Sequence, residues 1–390
     1  MAADSARGSR FMRSGRSRSF AIQAAFSVLL LLLFAYVVDR ASQLELGLDF
    51  LNAPAGFAIS HTWLTEFDSG DTRIAAYIVA VSNTLRLIIV GILLATIIGV
   101  IAGVARLSDN WLISRIATVY VEIVRNTPLL VQIVFWYTAI FLKLPRIEEE
   151  RGLLGIVYIS NRSLALPWPE PRGDFFLLWV ATVAIAVVPA YLIRRRRARR
   201  EAATGETTRP NLYAFAVFAG IAVVSFLALG LPVSIDTPTI VREQFTRAYV
   251  GGLSVTPEFA ALLIALVTYT GSFIAEIVRG SIQALPRGQS EAAMAIGLSG
   301  YQRLTLVILP QALRSMIPSL TNEYLNLTKN SSLAAAIAYA DLFQISSIII
   351  NKAGHAVVMF MVVIATYQLM SFAISAVMSY LNRRVQLVGS

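Results

Sequence analysis

The chain has 390 residues, of which 56% are hydrophobic and 14% charged, with a net charge of +10 and a mean hydropathy of +0.67. These proportions indicate a polytopic membrane protein and exclude an ordinary soluble domain, in which about a quarter of the residues are charged. The basic balance would also suit nucleic-acid binding, but the arginines cluster beside apolar segments, which is typical of residues that orient membrane helices.

The chain begins with an arginine-rich tail, residues 1–19, that we expect to be cytoplasmic. Residues 20–38 are mostly apolar and long enough to cross a bilayer. A cleaved signal peptide would also start with basic residues, but its apolar core is usually about 7–15 residues long, so we favour a retained helix. This helix and the mildly acidic outer loop after it make up the region 20–77.

The region 78–142 is predicted to contain two spans, at about 77–104 and 116–142. Pro128 lies inside the second of these spans. Because proline cannot donate a hydrogen bond to the carbonyl of Val124, we expect a kink or break there, with the freed carbonyl bonded to protein or water.

The region 143–258 is predicted to contain two further spans, at about 175–193 and 212–231, between polar loops. Six arginines within residues 194–200 follow the first of these spans directly. A nucleic-acid patch could have the same composition, but arginines at the end of a span favour a cytoplasmic stop-transfer cluster.

The region 259–384 is predicted to contain three more spans, followed by a short tail at 385–390. Its three spans lie at about 259–281, 318–339 and 356–381. One orientation puts every basic cluster inside and the acidic first loop outside. The expected fold is therefore an all-α polytopic membrane protein with eight transmembrane helices and both termini in the cytoplasm.

A polar stretch, residues 276–310, lies between two spans of the region 259–384. It is too polar for lipid and too short for a domain, and Gly297 and Gly300 divide it. We interpret it as a short helix, a glycine turn, and a second helix that stops near Pro310. An ordered helical knob between two spans suggests a surface that docks on another protein.

The seventh span carries polar residues on one face. At about 100° per residue, Asn322, Asn326, Lys329 and Asn330 fall within roughly 100° of arc. A charge at the bilayer centre costs at least about 2.5–3.5 kcal/mol, so this face should meet protein or a water-filled path. Two interpretations stay open: a translocation path, or amides that bond neighbouring helices, with Lys329 reaching the interface.

Three other polar groups are candidates for a path or gate. Glu276 and Arg279 are three residues apart and form either a local ion pair or part of a gate. The group Asn83, Thr84 and Arg86 either faces a cavity or marks the outer interface. Thr127 and Pro128 form the expected break in the third span.

The sequence lacks the residues that several kinds of catalysis and of metal or nucleotide binding require. The chain has no cysteine, only His61 and His355 as histidines, and no P-loop motif. No nucleophile, base and metal-ligand constellation is evident. We therefore expect no catalytic, cofactor-binding or metal-binding residue, and any ATP and magnesium to bind a partner chain.

Three motifs in order resemble those of ABC importer permeases, in the polar and general L-amino-acid branch. They are Arg125–Leu130, Glu276–Gly280 with Gly288–Ala293, and Asn326–Leu333. The resemblance implies a type I permease core of five helices, with its first part at 78–142 and its second part at 259–384. The three extra spans are the first span and the two spans of an insert at 143–258. The resemblance also implies that Glu291–Ala293 belong to the EAA loop, a coupling helix that docks on the ATPase with Glu291 in its first turn. The expected coupling residues are Arg287, Gly288, Gln289, Glu291, Ala292, Ala293 and Gly297.

The same resemblance implies a mechanism and partners. The chain would import L-amino acids, either polar and charged or over a broad range, by alternating access across the bacterial inner membrane. Its partners would be two copies of a cytoplasmic ABC ATPase, a second permease subunit of different sequence, and a periplasmic amino-acid-binding protein, with no nucleic acid. The alternative is a self-contained secondary transporter or channel for small polar solutes, which predicts an internal repeat with broken helices.

Overall fold

The structure is a computed structural model. It describes residues 47–385 except 61, 63–65, 148–151, 153–154, 205 and 244–245, together with six residues between 23 and 32, and it leaves out the side chains of 202, 242–248 and 301. The predicted tail at 1–19 lies outside the described residues. Most of the predicted span at 20–38 and of the tail at 385–390 lies outside them too.

The described part of the chain is mainly helical. Its α-helices are α1 Arg73–Ala105, α2 Trp111–Asn126, α3 Leu129–Val134, α4 Phe176–Thr204, α5 Pro210–Ala228, α6 Pro257–Gln283, α7 Arg287–Ala295, α8 Gly300–Arg303, α9 Leu309–Asn330, α10 Leu342–Ala353 and α11 Ala356–Val385. Short 3₁₀ segments lie at Asp49–Asn52, Phe141–Lys143 and Ser331–Ile337, and π segments at Phe135–Ile140 and Leu304–Ile308.

Six helical stretches in this part of the chain are long and apolar enough to cross a membrane. They contain α1, α4, α5, α6, α9 and α11, and the α2–α3 pair makes a seventh only if its two arms count as one span. Each predicted span after the first overlaps in sequence with one of these six stretches or with the α2–α3 pair. The eight-helix count and the orientation of the termini stay predictions.

The predicted break at Pro128 is confirmed, because the chain bends by 105° between α2 and α3. Thr127 is extended, as expected of a residue before proline. The carbonyl of Val124 accepts from the backbone N–H of Thr127 at 3.3 Å and from Nε2 of Gln132 at 2.9 Å. Gln132 also bonds the carbonyl of Thr127 at 2.9 Å, so one amide side chain satisfies both freed carbonyls.

The core is built on the close approach of α1 and α6. A Cβ added at Gly99 would lie 2.5 Å from Cβ of Ile274, and one at Gly103 would lie 2.7 Å from the carbonyl oxygen of Ala275. Small residues thus let the two backbones touch, as is common between membrane helices. α9 packs on this pair, with Leu327 against Gly91 of α1, and α11 packs on α9.

The insert behaves differently, because α4 and α5 form a hairpin that packs extensively only on itself among the described elements. Nε1 of Trp179 donates to the carbonyl of Ala222 at 3.2 Å, and its ring lies 5.6 Å from that of Phe226. The guanidinium of Arg197 lies 3.3 Å from the ring centroid of Tyr213.

The expectation of a purely α-helical fold is wrong in the loops around this hairpin. Seven short strands occur there: β1 Tyr158–Ile159, β2 Leu164–Leu166, β3 Trp168–Pro171, β4 Val233–Asp236, β5 Thr239–Glu243, β6 Thr246–Val250 and β7 Leu253–Val255. They form three antiparallel sheets, β1-β2-β7, β3-β4 and β5-β6. Typical pairs are Leu164 with Val255 and Trp168 with Asp236. The strands are only two to five residues long, and the pairs β2–β7 and β3–β4 join segments that precede and follow the hairpin, so local periodicity could not reveal those pairings.

The expected helix end near Pro310 is also wrong. The chain stays helical from Gly300 to Asn330, through the π segment, and Pro310 lies in the first turn of α9. A first-turn position tolerates the missing N–H, and the π segment adjusts the register before it. The predicted seventh span at 318–339 therefore starts earlier, at Leu304, and ends in the 3₁₀ segment, before the unpredicted helix α10.

Candidate functional site

The knob between α6 and α9 has the predicted helix, turn and helix. α7 ends in a left-handed turn at Gly297, whose φ is +79°. The N–H of Gly297 donates to the carbonyl of Met294, and the N–H of Leu298 donates to that of Ala293 at 3.1 Å. This is a glycine cap, and a side chain at Gly297 would strain it even though the space around it is open.

The knob presents most of the predicted coupling residues to solvent. Those exposed are Arg287, Gly288, Gln289, Glu291, Ala292 and Gly297. Ala293 differs, since only 3% of it is exposed and it packs inward. Glu291 was expected in the first turn, but α7 begins at Arg287, so it lies in the second turn, where the helix dipole is weak.

Charged residues meet at the C-terminal ends of α1 and α6. We call Arg106, Glu122, Arg125, Glu276 and Arg279 the ion cluster. Glu276 is its centre: Arg106 donates to Oε2 at 2.5 Å, Arg125 lies 3.7 Å from the same oxygen, and Arg279 bonds Oε1. Because Arg106 comes from α1, Arg125 from α2 and Glu276 from α6, one carboxylate joins three helices.

The predicted Glu276–Arg279 pair is therefore only part of a larger network. The side chain of Arg106 is 9% exposed, so it depends on Glu276 for its charge balance. Glu122 lies 3.8 Å from Arg106 but its side chain is 59% exposed, which makes that pair weak. A possible sequence signal for Arg106 was its position at the end of a span on the same side of the membrane as Glu276.

A polar cavity of about 170 Å³ lies between α6 and α9. It is lined by Tyr269, Thr270, Phe273, Glu323, Asn326, Lys329 and Asn330. Three of the four residues predicted on the polar face of the seventh span line it. Asn322 is exposed outside it, and Glu323, which the helical arc did not include, takes part instead.

The polar cavity and the ion cluster are neighbours. The guanidinium of Arg125 lies 5.0 Å from the ring centroid of Phe273, which is part of the cavity wall. A shift of α2 relative to α6 would thus disturb both sites at once.

The group Asn83, Thr84 and Arg86 lies far along α1 from these sites and supports a corner of the chain before α10. Nδ2 of Asn83 donates to the carbonyl of Ala340 at 3.0 Å, and Oγ1 of Thr84 accepts from the N–H of Leu342 at 2.9 Å. The guanidinium of Arg86 lies 4.5 Å from the ring centroid of Phe259. Asn83 and Thr84 are buried, and they hold backbone rather than line the polar cavity.

Asp341 sits in the same corner and caps α10, because its Oδ1 accepts from the N–H of Gln344 at 2.8 Å. Burial raises the pKa of Asp341 to about 7, although backbone bonds from Gln344 and Phe343 oppose the shift. Burial also raises the pKa of Tyr339. The corner is therefore a desolvated part of the fold.

Thr127 and Pro128 occupy the bend without lining the polar cavity. Oγ1 of Thr127 donates to the carbonyl of Ile123 at 2.8 Å, and Pro128 is exposed. Their contribution is the turn that places Arg125 against α6. Within the described ranges, no three histidine, cysteine, aspartate or glutamate side chains are placed to hold a metal ion.

Comparison with known proteins places this geometry in a family context. Residues 212–387 match the family described as "Binding-protein-dependent transport system inner membrane component". This range contains the knob, the polar cavity and Glu276 of the ion cluster.

Two relatives match over most of their length. The "General L-amino acid transport system permease protein AapQ" of Rhizobium johnstonii is 42% identical over 342 residues, covering 88% of this chain and 84% of the relative. The "Glutamate/glutamine/aspartate/asparagine transport system permease protein BztB" of Rhodobacter capsulatus is 37% identical over 411 residues, covering 95% and 94%.

Proposed function

The chain belongs to the family of binding-protein-dependent transport system inner membrane components, the permease subunits of ABC importers, and we propose that its cargo is L-amino acids. The observation that carries the cargo assignment is the full-length similarity to AapQ and BztB, both named as amino-acid permeases. Membership favours this function over a self-contained secondary transporter. The chain is a transport subunit and not an enzyme, since ATP hydrolysis belongs to a separate chain.

We propose that the chain crosses the bacterial inner membrane eight times with both termini in the cytoplasm. The six long helices, the bent α2–α3 pair and the apolar stretch at 20–38 supply the eight spans. The five core spans would be α1, α2–α3, α6, α9 and α11, with region 143–258 as the insert. Arg194–Arg200 and the knob then lie on one side, in agreement with the excess of arginine inside.

The knob is the proposed contact with the ATPase. Its exposed face carries Arg287, Gln289 and Glu291, and two large apolar side chains, Met294 and Ile296, are 51% and 76% exposed. Exposed apolar residues next to charges are typical of a docking surface. We propose that two copies of the ATPase bind ATP and magnesium, and that each engages one permease subunit of a pair with different sequences.

The polar cavity is the proposed part of the translocation path, with the ion cluster as its gate on the knob side. A periplasmic binding protein would deliver the amino acid to the opposite side. Opening towards the knob must separate α1, α2 and α6, and therefore break the bonds to Glu276. Packed helices move between two states as rigid bodies. Closure of the ATPase subunits at the knob would therefore shift the equilibrium between the closed and the open gate.

A charge reversal on the knob tests the coupling role. Glu291→Lys should lower copurification of the ATPase and amino-acid uptake by about tenfold, because a docking carboxylate becomes a repulsive ammonium. Glu170→Lys, at an exposed residue of β3, is the matched control and should leave both unchanged. Pull-down of the ATPase and ATP-driven uptake in proteoliposomes measure the two effects. Uptake without ATP and without a copurifying ATPase would overturn the proposed function.

Lys329 tests the path. Lys329→Met should reduce uptake severalfold with little change in the amount of assembled protein, because the substitution keeps the apolar stem and removes only the charge in the cavity. Lys143→Met, at an exposed lysine outside the cavity, serves as the control. Radiolabelled uptake normalised to purified complex is the measurement. Unchanged uptake in Lys329→Met would assign this lysine to helix contacts.

A further inference from the structure

A second and larger cavity, of about 610 Å³, lies at the other end of α6. Its walls come from four separated parts of the chain, one of which is Ser60 in the segment before α1. The turn between β1 and β2 contributes Asn161 and Arg162, the N-terminus of α6 contributes Thr256 and Glu258, and the corner before α10 contributes Ala338 and Tyr339. None of these residues was singled out from the sequence. We call this space the outer cavity.

The outer cavity holds two opposite charges. Arg162 is exposed, and Glu258 accepts from the hydroxyl of Tyr137 at 3.0 Å through Oε1. Among the described residues, neither Arg162 nor Glu258 is in an ion pair, either with the other or with a third residue. Two opposite charges that share a cavity without meeting can bind a ligand that carries both signs.

The walls of the outer cavity are braced. Oγ of Ser160 accepts from the N–H groups of Arg162 and Ser163, at 3.4 and 3.3 Å, and shapes the turn that carries Arg162. Hydroxyls of Ser163 and Ser254 bond at 3.0 Å and tie this turn to β7. Such bonds hold the arginine-bearing turn over the N-terminus of α6.

The opposite wall carries a backbone outlier. Ala338 has a φ of +57°, a conformation that costs a residue with a Cβ and persists only where the surroundings enforce it. Bonds from Asn83 to Ala340 and from the hydroxyl of Tyr339 to the carbonyl of Asn83, at 3.0 and 3.3 Å, enforce it here. A strained and fixed wall is typical of a binding site.

We propose that the outer cavity binds the free amino acid before it enters the path, with Arg162 on its α-carboxylate and Glu258 on its α-ammonium. Arginine pairs with carboxylates through two parallel hydrogen bonds, and a carboxylate is the natural partner of an ammonium. The cavity volume lies within the usual range for ligand pockets of about 300–1,000 Å³ and leaves room for any side chain. The site would therefore recognise the groups that all amino acids share.

This site rests on the proposed function and gives the insert a role in it. The insert supplies Arg162, and the first turn of the core helix α6 supplies Glu258. At about 1.5 Å per residue, Glu258 lies roughly 17 Å along α6 from Tyr269 of the polar cavity, and roughly 27 Å from Glu276 of the ion cluster. One helix thus carries an entry site, a polar cavity and a gate in order.

Binding of L-glutamine and two deletion analogues tests the assignment. Glutaramic acid lacks the ammonium group, and 4-aminobutanamide lacks the carboxylate. Saturation-transfer NMR would follow each probe on the purified, nucleotide-free permease–ATPase complex without the binding protein. We expect L-glutamine to bind at least about tenfold tighter than either analogue, since each analogue loses one charge-assisted contact.

The variants then separate the two contacts. Arg162→Gln should weaken the binding of L-glutamine about tenfold and leave the binding of 4-aminobutanamide unchanged, because that analogue has no carboxylate for Arg162 to contact. Glu258→Gln should weaken L-glutamine to the same extent and leave glutaramic acid unchanged, while its amide still accepts from Tyr137. The matched controls are Arg172→Gln and Glu170→Gln, exposed residues of the insert outside the cavity, and they should bind all probes as the wild type does.

Other outcomes overturn the assignment. Wild-type affinities in both variants would place L-glutamine elsewhere, and an equal loss for all three probes would indicate a general disturbance of the fold. Uptake measured on the same preparation keeps the two proposals apart. If the wild-type complex transports no amino acid, the proposed function fails; if it transports normally while both variants bind normally, only the outer cavity is reassigned.

Discussion

The core pair α1 and α6 and the insert hairpin α4 and α5 are equally suited to lipid but are packed in opposite ways. In the apolar stretch of α6, 61% of residues are buried within the chain, whereas none are buried in that of α5. The two stretches have nearly the same hydropathy. Hydropathy therefore predicts that a helix lies in the membrane but not what it contacts there.

Small residues and charges account for the difference. α1 offers Gly99 and Gly103 to α6, so the backbones come close, and Glu276 then bonds Arg106 at the end of the same interface. The hairpin has one glycine facing open space, Gly220, and its contacts are aromatic ones between its own helices. The core helices are thus joined by close backbone contacts and a charged network, whereas the hairpin packs mainly on itself.

The largest difference in stability is expected when one methyl group is added to a helix of the core and, for comparison, to a helix of the hairpin. Gly99→Ala places a Cβ 2.5 Å from Ile274 and 2.8 Å from the carbonyl oxygen of Gly271, and backbone cannot yield cheaply. We expect the free energy of unfolding to fall by about 3 kcal/mol, which is at the upper end of the cost of overpacking a core. Gly220→Ala meets no atom within 4 Å and should be neutral or stabilise by up to about 1 kcal/mol. Thermal unfolding in detergent compares them, and equal destabilisation would contradict the contrast.

A smaller effect is expected at the ion cluster. Glu276→Gln keeps the shape but removes the charge that three arginines share, and should cost about 2 kcal/mol and lower uptake. Glu122→Gln changes a more exposed carboxylate 3.8 Å from Arg106 and should cost at most about 0.5 kcal/mol. Unfolding and uptake measured together check both variants. A larger loss of stability in Glu122→Gln than in Glu276→Gln would show that Glu276 is not the centre of the ion cluster.

The smallest effect is expected inside the hairpin. Trp179→Phe keeps an aromatic ring beside Phe226 but loses part of the ring contact and the hydrogen bond to Ala222, which is worth about 0.6 kcal/mol between membrane helices. Because the hairpin and the core share few contacts, the loss should add to that of Gly99→Ala within about 0.5 kcal/mol. Non-additive unfolding of the double variant would show that the two regions are coupled.

Much of the candidate site follows from local rules. The break at Pro128 needs only the missing proline N–H, the knob needs only Gly297 between two helical segments, and the face with Asn326 and Lys329 needs only the helical period. The pairing of Arg106 with Glu276 does not follow, because these residues lie on helices that only the folded core brings together. Gln132 could not be recognised from sequence either, since its bonds to Val124 and Thr127 depend on the size of the bend.

The sequence by itself determined which stretches suit the membrane, where one of them breaks, which helix carries polar groups, and which loop is an ordered knob. These properties depend on composition and on periods of a few residues, and they are encoded within a single element. Only the tertiary structure decided that α1 and α6 touch, that Ala293 faces inward, that short strands surround the hairpin, and that Arg162 and Glu258 share a cavity. Those results depend on distances between residues remote in the chain, which the packing of whole helices sets.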